Sequence, residues 1–422
     1  MNTQNSDSLL SMMLGIVPFW KDQMKDWKVT VVRTSLERLG YQIVFPYLSL
    51  YIIALGATKT QLGTITSIGM LMTGLLGPWV GGIIDRSGAK KIYSFGIVLL
   101  LASYLLYASA PDWRLCVAAM VIYYLGQGLS GQSCATICGN CLKTCDRARG
   151  MLVCESLAAG LLGMAGPMIA AFVLVNVLGV SEGAATADDY RKLFYISAAF
   201  TFMSLLVVIF KLSNQKFASR SRGGTLRNGL NILKSNANAR KWLVISAVAN
   251  LPQALVLPFI QVFAGEVKGA TVTVLAAMVT AHAVTSTFLG YPVGVLADRF
   301  GRKKVIYATT GLFWLSIVLL LTAKSPAMLI AAGVLQGFYY ISSPLSGAIQ
   351  RELVSNEVMG TWIGLTKFSN AIVAAVMASV GGLIYDRVGP QYVFLVYIAC
   401  DALIRMPLLS RIPETLHAGR EG

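Results

Sequence analysis

Gly294-Val295-Leu296-Ala297-Asp298-Arg299-Phe300-Gly301-Arg302-Lys303-Lys304-Val305-Ile306 decides the fold of this chain. It joins two long apolar runs. An acid ends the first run, a glycine turns the chain, and four cations crowd the turn. A weaker copy stands 213 residues earlier, at Gly81-Gly82-Ile83-Ile84-Asp85-Arg86-Ser87-Gly88-Ala89-Lys90-Lys91-Ile92-Tyr93. Glycine permits both the turn and a close approach of helix ends. The acid at a helix end can pair with cations or helix dipoles across the same face. The cations do not cross a bilayer, so they hold the loop on its inner side. Gly81, Asp85, Arg86, Gly88, Lys90 and Lys91, with Gly294, Asp298, Arg299, Gly301, Arg302 and Lys303, are therefore candidates for a conformational gate.

Composition supports a lipid environment. The 422 residues are 55% hydrophobic and only 13% charged, whereas soluble domains carry about 25% charged residues. The net charge of +16 is not a nucleic-acid signal, because the cations sit in loops between apolar runs, where orientation and anionic lipid require them. Runs long enough to span a bilayer, about 20 residues each, lie near 29–54, 60–84, 90–110, 114–140, 150–178, 191–212, 241–265, 270–297, 304–323, 326–349, 358–384 and 391–410. That predicts twelve helices. Most Lys and Arg fall in the termini and in alternate loops. The opposite loops hold only Lys59, Arg114, Arg191, Lys192, Lys268, Lys324 and Arg387. Both termini are therefore expected in the cytoplasm, with the protein in the cell membrane. Residues 1–28 read as an interfacial lead-in, since the run Leu9 to Trp20 is too short to span. Residues 29–212 and 241–411 form two six-helix halves, 213–240 a basic cytoplasmic linker, and 412–422 a tail.

The halves repeat. Leu125-Gly126-Gln127-Gly128 echoes Leu335-Gln336-Gly337, and Arg149-Gly150 echoes Met359-Gly360. Gly381-Gly382-Leu383-Ile384-Tyr385-Asp386-Arg387-Val388-Gly389 stands before the last run. Together with the duplicated loop, these features resemble the major facilitator superfamily over residues 29 to 411. The resemblance implies an all-α membrane protein of twelve transmembrane helices in two pseudo-symmetric six-helix bundles. Such a protein transports by exposing a central site alternately to each side. It also implies that helices 1, 4, 7 and 10 line the cavity. On them lie Tyr41, Gln42, Tyr123, Tyr124, Gln127, Asn250, Gln253, Gln336, Tyr339 and Tyr340. Rings with a few neutral hydrogen-bonding groups suit a small amphipathic organic compound, though each also suits interhelix packing.

Helix 5 carries Gly160-Leu161-Leu162-Gly163-Met164-Ala165-Gly166-Pro167-Met168-Ile169-Ala170-Ala171, which partly resembles the Gly-Pro motif of the family's antiporters. Leu162 and Ala170-Ala171 depart from it. Gly166 and Pro167 would then allow tight packing and a bend at the interface of the halves. Tyr124 stands where many drug:proton antiporters have an arginine, a second departure.

Charges within a span cost about 2.5–3.5 kcal/mol each on insertion scales, so each needs a reason. Arg33 and Glu37 are four residues apart on one helix face. Glu37 is a candidate proton carrier, with Arg33 or Arg38 setting its affinity; a static ion pair near the inner mouth is the alternative. Glu155, within two turns of the inner loop, is either a second coupling site or a contact to that loop. Lys367 is a candidate contact for an anionic substrate. His282 reads as a helix–helix hydrogen-bonding partner, and Asp401 with Arg405 as a self-paired structural couple.

Cys134, Cys138, Cys141 and Cys145 share a helical spacing. Four thiols on one straight helix cannot converge on one ion, so the stripe reads as small apolar packing. No cofactor or metal is expected. There is no phosphate-binding loop, which leaves an ion gradient as driver. The expectation is proton-coupled export by a monomer that exchanges a small-molecule substrate against protons across the lipid bilayer. An importing symporter or uniporter for a sugar or organic anion and a non-transporting sensor are the alternatives.

Overall fold

The computed structural model describes residues 20, 21, 23–141, 159–180, 185–214, 233–234, 236–354 and 359–412. Most of the linker, the tail, most of the lead-in, Glu155 and Cys145 lie outside the described residues, as do the side chains of Asp85, Arg86 and Asp298, and the last residues of the expected linker belong to α7. The described helices fall into twelve successive segments. In the first half these are α1 (Lys25–Val44, resuming as Leu48–Ala54), α2 (Lys59–Ser87), α3 (Ala89–Ser109) and α4 (Trp113–Cys141). They continue with α5 (Ala159–Phe172, ending in a π-turn Val173–Val177) and α6 (Ala187–Lys211). The second half holds α7 (Ala237–Ala249 and its continuation to Val267), α8 (Val272–Phe300), α9 (Arg302–Thr322), α10 (Pro326–Glu352), α11 (Met359–Arg387) and α12 (Pro390–Cys400 and its continuation to Ser410).

Nine of these, α3 and α5 to α12, contain stretches long and apolar enough to cross a membrane. Helix α1 is more polar because it carries Lys25, Asp26, Lys28, Arg33, Glu37 and Arg38. It also breaks at Pro46, which has no N–H to continue the ladder. The expected helix starts and stops shift by a few residues, mostly outward, as where 60–84 becomes Lys59–Ser87 and 358–384 ends at Arg387. The backbone ladder continues past the apolar run until a glycine or a cap stops it. Gly88 (φ 87°) and Gly301 (φ 100°) each end one helix and start the next, a left-handed conformation that favours glycine. Thr58 and Thr271 cap the starts of α2 and α8, accepting from the N–H of Gln61 and Val274.

Packing repeats as the sequence does. Helix α1 packs on α5 and α6, α3 on α4 and α6, and α2 on α4. In the second half α7 packs on α11 and the middle of α12, α9 on α10 and α12, and α8 on α10. The halves meet through two equivalent pairs, α2 with α11 and α5 with α8. The basic loops have equivalent contacts too. Lys90 Nζ donates to the carbonyls of Ile209 (3.0 Å) and Leu212 (2.6 Å) at the end of α6. Lys303 Nζ donates to Ser410 (3.1 Å) and Ile412 (2.5 Å) after the end of α12. A cation there satisfies orphan carbonyls and the negative helix end.

The core divides unequally. At the end distal to Lys25 and Ser410, one buried cluster runs through both halves, joining Ile43, Tyr47, Leu62 and Phe194 to Leu255, Phe259, Phe263 and Val393. At the other end each half keeps its own core. One gathers Trp27, Tyr93, Cys138 and Val208, the other Trp242, Ile306, Trp362 and Leu409. The halves are thus fused at one end and parted at the other. Glycines draw the fused end tight: a Cβ on Gly63 of α2 would lie 2.3 Å from the Ala378 carbonyl oxygen of α11, and one on Gly382 would lie 2.5 Å from that of Lys59. Asp386 accepts from both the N–H (2.7 Å) and the hydroxyl (2.6 Å) of Thr60, and Lys59 pairs with Glu266 at 2.9 Å. At the parted end a Cβ on Gly290 or Gly294 of α8 would meet nothing within 4 Å.

Candidate functional site

Between the halves lies a cavity of about 1020 Å³. Helix α1 supplies Arg38, Tyr41 and Gln42, α4 supplies Tyr123 and Tyr124, α7 Gln253 and Gln261, α8 His282, and α10 Gln336 and Tyr340. Small residues on neighbouring helices set these side chains. A Cβ on Gly69 of α2 would fall 2.4 Å from the Tyr124 ring. On α5, a Cβ on Gly163 would come to 2.9 Å from Arg38 Cγ, and one on Gly166 to 2.7 Å from Gln42 Cβ. Gly166, just before Pro167, therefore packs α5 on α1 within the first half. Members of that stretch at the boundary of the halves are Gly160, whose Cβ would meet Thr287 Oγ1 of α8 at 2.7 Å, and Met164, whose carbonyl accepts from Thr280 Oγ1 of α8 at 3.3 Å.

The rings form a connected wall. Tyr41 stacks with Tyr123 (6.1 Å between centroids), Tyr123 meets Tyr124 edge-on (5.7 Å), and across the cavity His282 stacks on Tyr340 (4.9 Å). Such a wall accepts an apolar or aromatic body. Arg38 is exposed, 5.9 Å from the Tyr41 ring centroid. Among the described residues lining the cavity it is the only permanently charged one.

A side pocket of about 160 Å³ adjoins the cavity and shares Thr34, Arg38 and Tyr41 with it. Its floor is the buried pair of α1. Arg33 Nη1 lies 2.7 Å from Glu37 Oε2, one helical turn on. Gln127 of α4 donates to Glu37 Oε1 at 2.5 Å and to Tyr123 Oη at 3.1 Å. The Arg33 guanidinium lies over the Tyr93 ring of α3, 4.8 Å from its centroid. Glu37 is thus linked through Gln127 and Tyr123 to the aromatic wall, while Arg33 faces away from it.

Other expected residues lie elsewhere. Tyr339 packs on Phe313 of α9, in the core of the second half. Asn250 ends the first part of α7, its amide donating to the Ser246 carbonyl. Lys367 is exposed on α11 and does not line the cavity. The Asp401–Arg405 couple is buried in the second half, tied to Trp314 Nε1 (2.9 Å) and Thr310 Oγ1 (2.8 Å). Cys138 and Cys134 meet Thr30 and Thr34 of α1 at 3.3 and 3.7 Å, as interhelix packing. Among the described residues no three metal-ligating side chains converge. The sequence reading missed Gln261. Its signal was its place on α7, eight residues after Gln253, but the irregular turn Pro252–Val256, which contains Gln253, obscures which face it takes.

Two helical halves, packed by equivalent contacts about one polar-and-aromatic cavity, define a membrane carrier. The Major Facilitator Superfamily model matches residues 34–250 and 242–400, and the chain belongs to that family. It is a multi-pass membrane transporter rather than an enzyme. Relatives include the Multidrug resistance protein MdtG of Escherichia coli, 24% identical over 404 residues, covering 90% of this chain and 93% of MdtG. Two crystal structures of the nucleoside transporter NupG share the fold at 14% identity, covering 92% of this chain and 100% of theirs. Their TM-scores are 0.75 (a mutant) and 0.70.

Proposed function

We propose that this chain is a secondary active transporter working by alternating access, and that it exports small amphipathic organic compounds in exchange for protons. One observation carries the reading: the buried Glu37 of the side pocket is wired by Gln127 to Tyr123 of the cavity wall. Glu37 is the proton carrier, Arg33 its ion-pair partner, and Arg38 the cation at the junction of pocket and cavity. Protonation removes the charge–charge attraction to Arg33 and weakens the hydrogen bond from the Gln127 amide, which gives the two states different energies. Export is supported by the glycine–proline stretch of α5 and by similarity to a protein named for multidrug resistance. The cation distribution supports cytoplasmic termini in the cell membrane, so the parted end faces the cytoplasm. A single chain supplies both halves of the site, in keeping with a monomer.

The test is flux in reconstituted vesicles under an imposed pH gradient. Glu37→Gln should abolish acceleration by the gradient while leaving substrate binding in place; undiminished gradient-driven flux would remove Glu37 from coupling. An importer of a sugar or organic anion is the second reading, favoured by Arg38 in the cavity. It loses Lys367 as an anion contact, since that residue is off the cavity. Flux direction separates the two, and ligand binding without flux in sealed vesicles would mark a sensor.

A further inference from the structure

Four buried polar atoms around the cavity have no hydrogen-bond partner among the described residues: Gln42 Oε1, Gln261 Oε1, His282 Nδ1 and Gln336 Nε2. Their residues are 8%, 8%, 7% and 3% exposed, and all four line the one cavity. They come from four helices, α1, α7, α8 and α10. A buried polar atom left unpaired carries its full desolvation penalty. A cavity shaped only for greasy cargo would not collect four of them. From the transporter reading above, we infer that the cargo is a neutral aromatic compound bearing several hydroxyl groups, its hydroxyls taken by Gln42, Gln261, His282 and Gln336 and its ring by the tyrosine wall.

The chemistry narrows the class. Each glutamine amide offers a donor and an acceptor and can present either by turning over; a neutral imidazole likewise offers one of each. A hydroxyl, itself donor and acceptor, matches all four in any combination. A lipophilic cation does not fit this wall. Among the described lining residues the permanent charge is the Arg38 guanidinium, and Glu37 is held by Arg33 in the side pocket. An aromatic acid would use Arg38 and leave the four neutral groups unused. The ring has its own seats, against the stacked Tyr41 and Tyr123 or beside the His282–Tyr340 stack, where aromatic pairs gain beyond area burial. Hydroxyls on the four polar groups would supply the partners these atoms lack among the described residues.

The experiment is calorimetric titration of the purified full chain in nanodiscs with three probes: phenyl β-glucoside, salicylate and tetraphenylphosphonium. Phenyl β-glucoside should bind saturably and about tenfold or more tighter than either charged probe. Gln261→Leu and Gln336→Leu should each weaken it about tenfold, the loss of one buried hydrogen bond, with little effect on salicylate. Tighter binding of either charged probe, absence of phenyl β-glucoside binding, or unchanged affinity in both leucine variants would overturn the inference. If a leucine variant does not fold, the ranking of the three probes on the unaltered chain still decides. The coupling reading fails separately. Phenyl β-glucoside binding with no gradient-driven flux sinks proton exchange alone, whereas gradient-driven flux of tetraphenylphosphonium without phenyl β-glucoside binding sinks the hydroxyl class alone.

Discussion

Gly63→Ala is the smallest change that reports on the fused end. The added methyl would sit 2.3 Å from the Ala378 carbonyl oxygen, 3.2 Å from the Gly382 nitrogen and 3.2 Å from the Ala378 carbonyl carbon, all backbone atoms that cannot swing aside. Ordinary contact begins near 3.4 Å, so α2 and α11 must part by about 1 Å. Overpacking of this kind costs roughly 1–3 kcal/mol. The penalty falls on the state in which these helices touch and is absent when they separate, so the balance between states should move about 5- to 150-fold toward opening at this end. Hydrogen–deuterium exchange in nanodiscs reads the change. Peptides spanning 58–67 and 375–386 should exchange faster, and those at 88–92 and 301–305 should not. Gly290→Ala is the control: nothing lies within 4 Å of its new methyl, so exchange at the fused end should stay as it was. Equal exchange in Gly63→Ala and the unaltered chain would refute close glycine packing of α2 on α11 as the cause of closure.

Two further outcomes follow from the packing. Asp401→Ala leaves Arg405 buried at 5% exposure with only Thr310 as a side-chain partner. It should cost about 3–5 kcal/mol, seen as a lower melting temperature in detergent, whereas the double change Asp401→Leu with Arg405→Leu should recover much of the loss. Lys90→Ala and Lys303→Ala each remove two carbonyl contacts at a helix end, worth about 0.3–1 kcal/mol. Faster amide exchange confined to 208–212 in the first variant and 408–412 in the second should report it; fraying at both ends in either variant would contradict the separate roles assigned to the two lysines.

Much of the site was legible because its signals are local. Arg33 and Glu37 share a face by helical spacing alone, and charges that costly in an apolar segment announce a partner. Asp401 and Arg405 follow the same rule. Tyr41, Gln42, Tyr123, Tyr124, Gln253, Gln336 and Tyr340 were expected on helices 1, 4, 7 and 10, and they line the cavity. Tyr339 and Lys367 escaped the same reasoning. One residue of helical rotation, about 100°, turns Tyr339 away from the cavity that Tyr340 faces. Lys367 belongs to a helix whose contact with α2 occupies one side, and nothing in its own sequence names that side.

The class of architecture is legible in the chain without any coordinates. Apolar runs of bilayer length, cations confined to alternate loops and a basic turn duplicated 213 residues apart admit few folds other than two repeated helical halves in a membrane, because solvent and lipid sort residues by chemistry before any tertiary contact forms. Which end is shut, that Asp386 and Glu266 fasten it, that Gly166 serves α1 while Gly160 serves α8, and that Gln261 joins the cavity emerge from the packing of the helices alone. Those facts depend on how residues hundreds of positions apart face one another. Rotation and tilt about each helix axis are set by packing between helices, which no single stretch of the chain encodes.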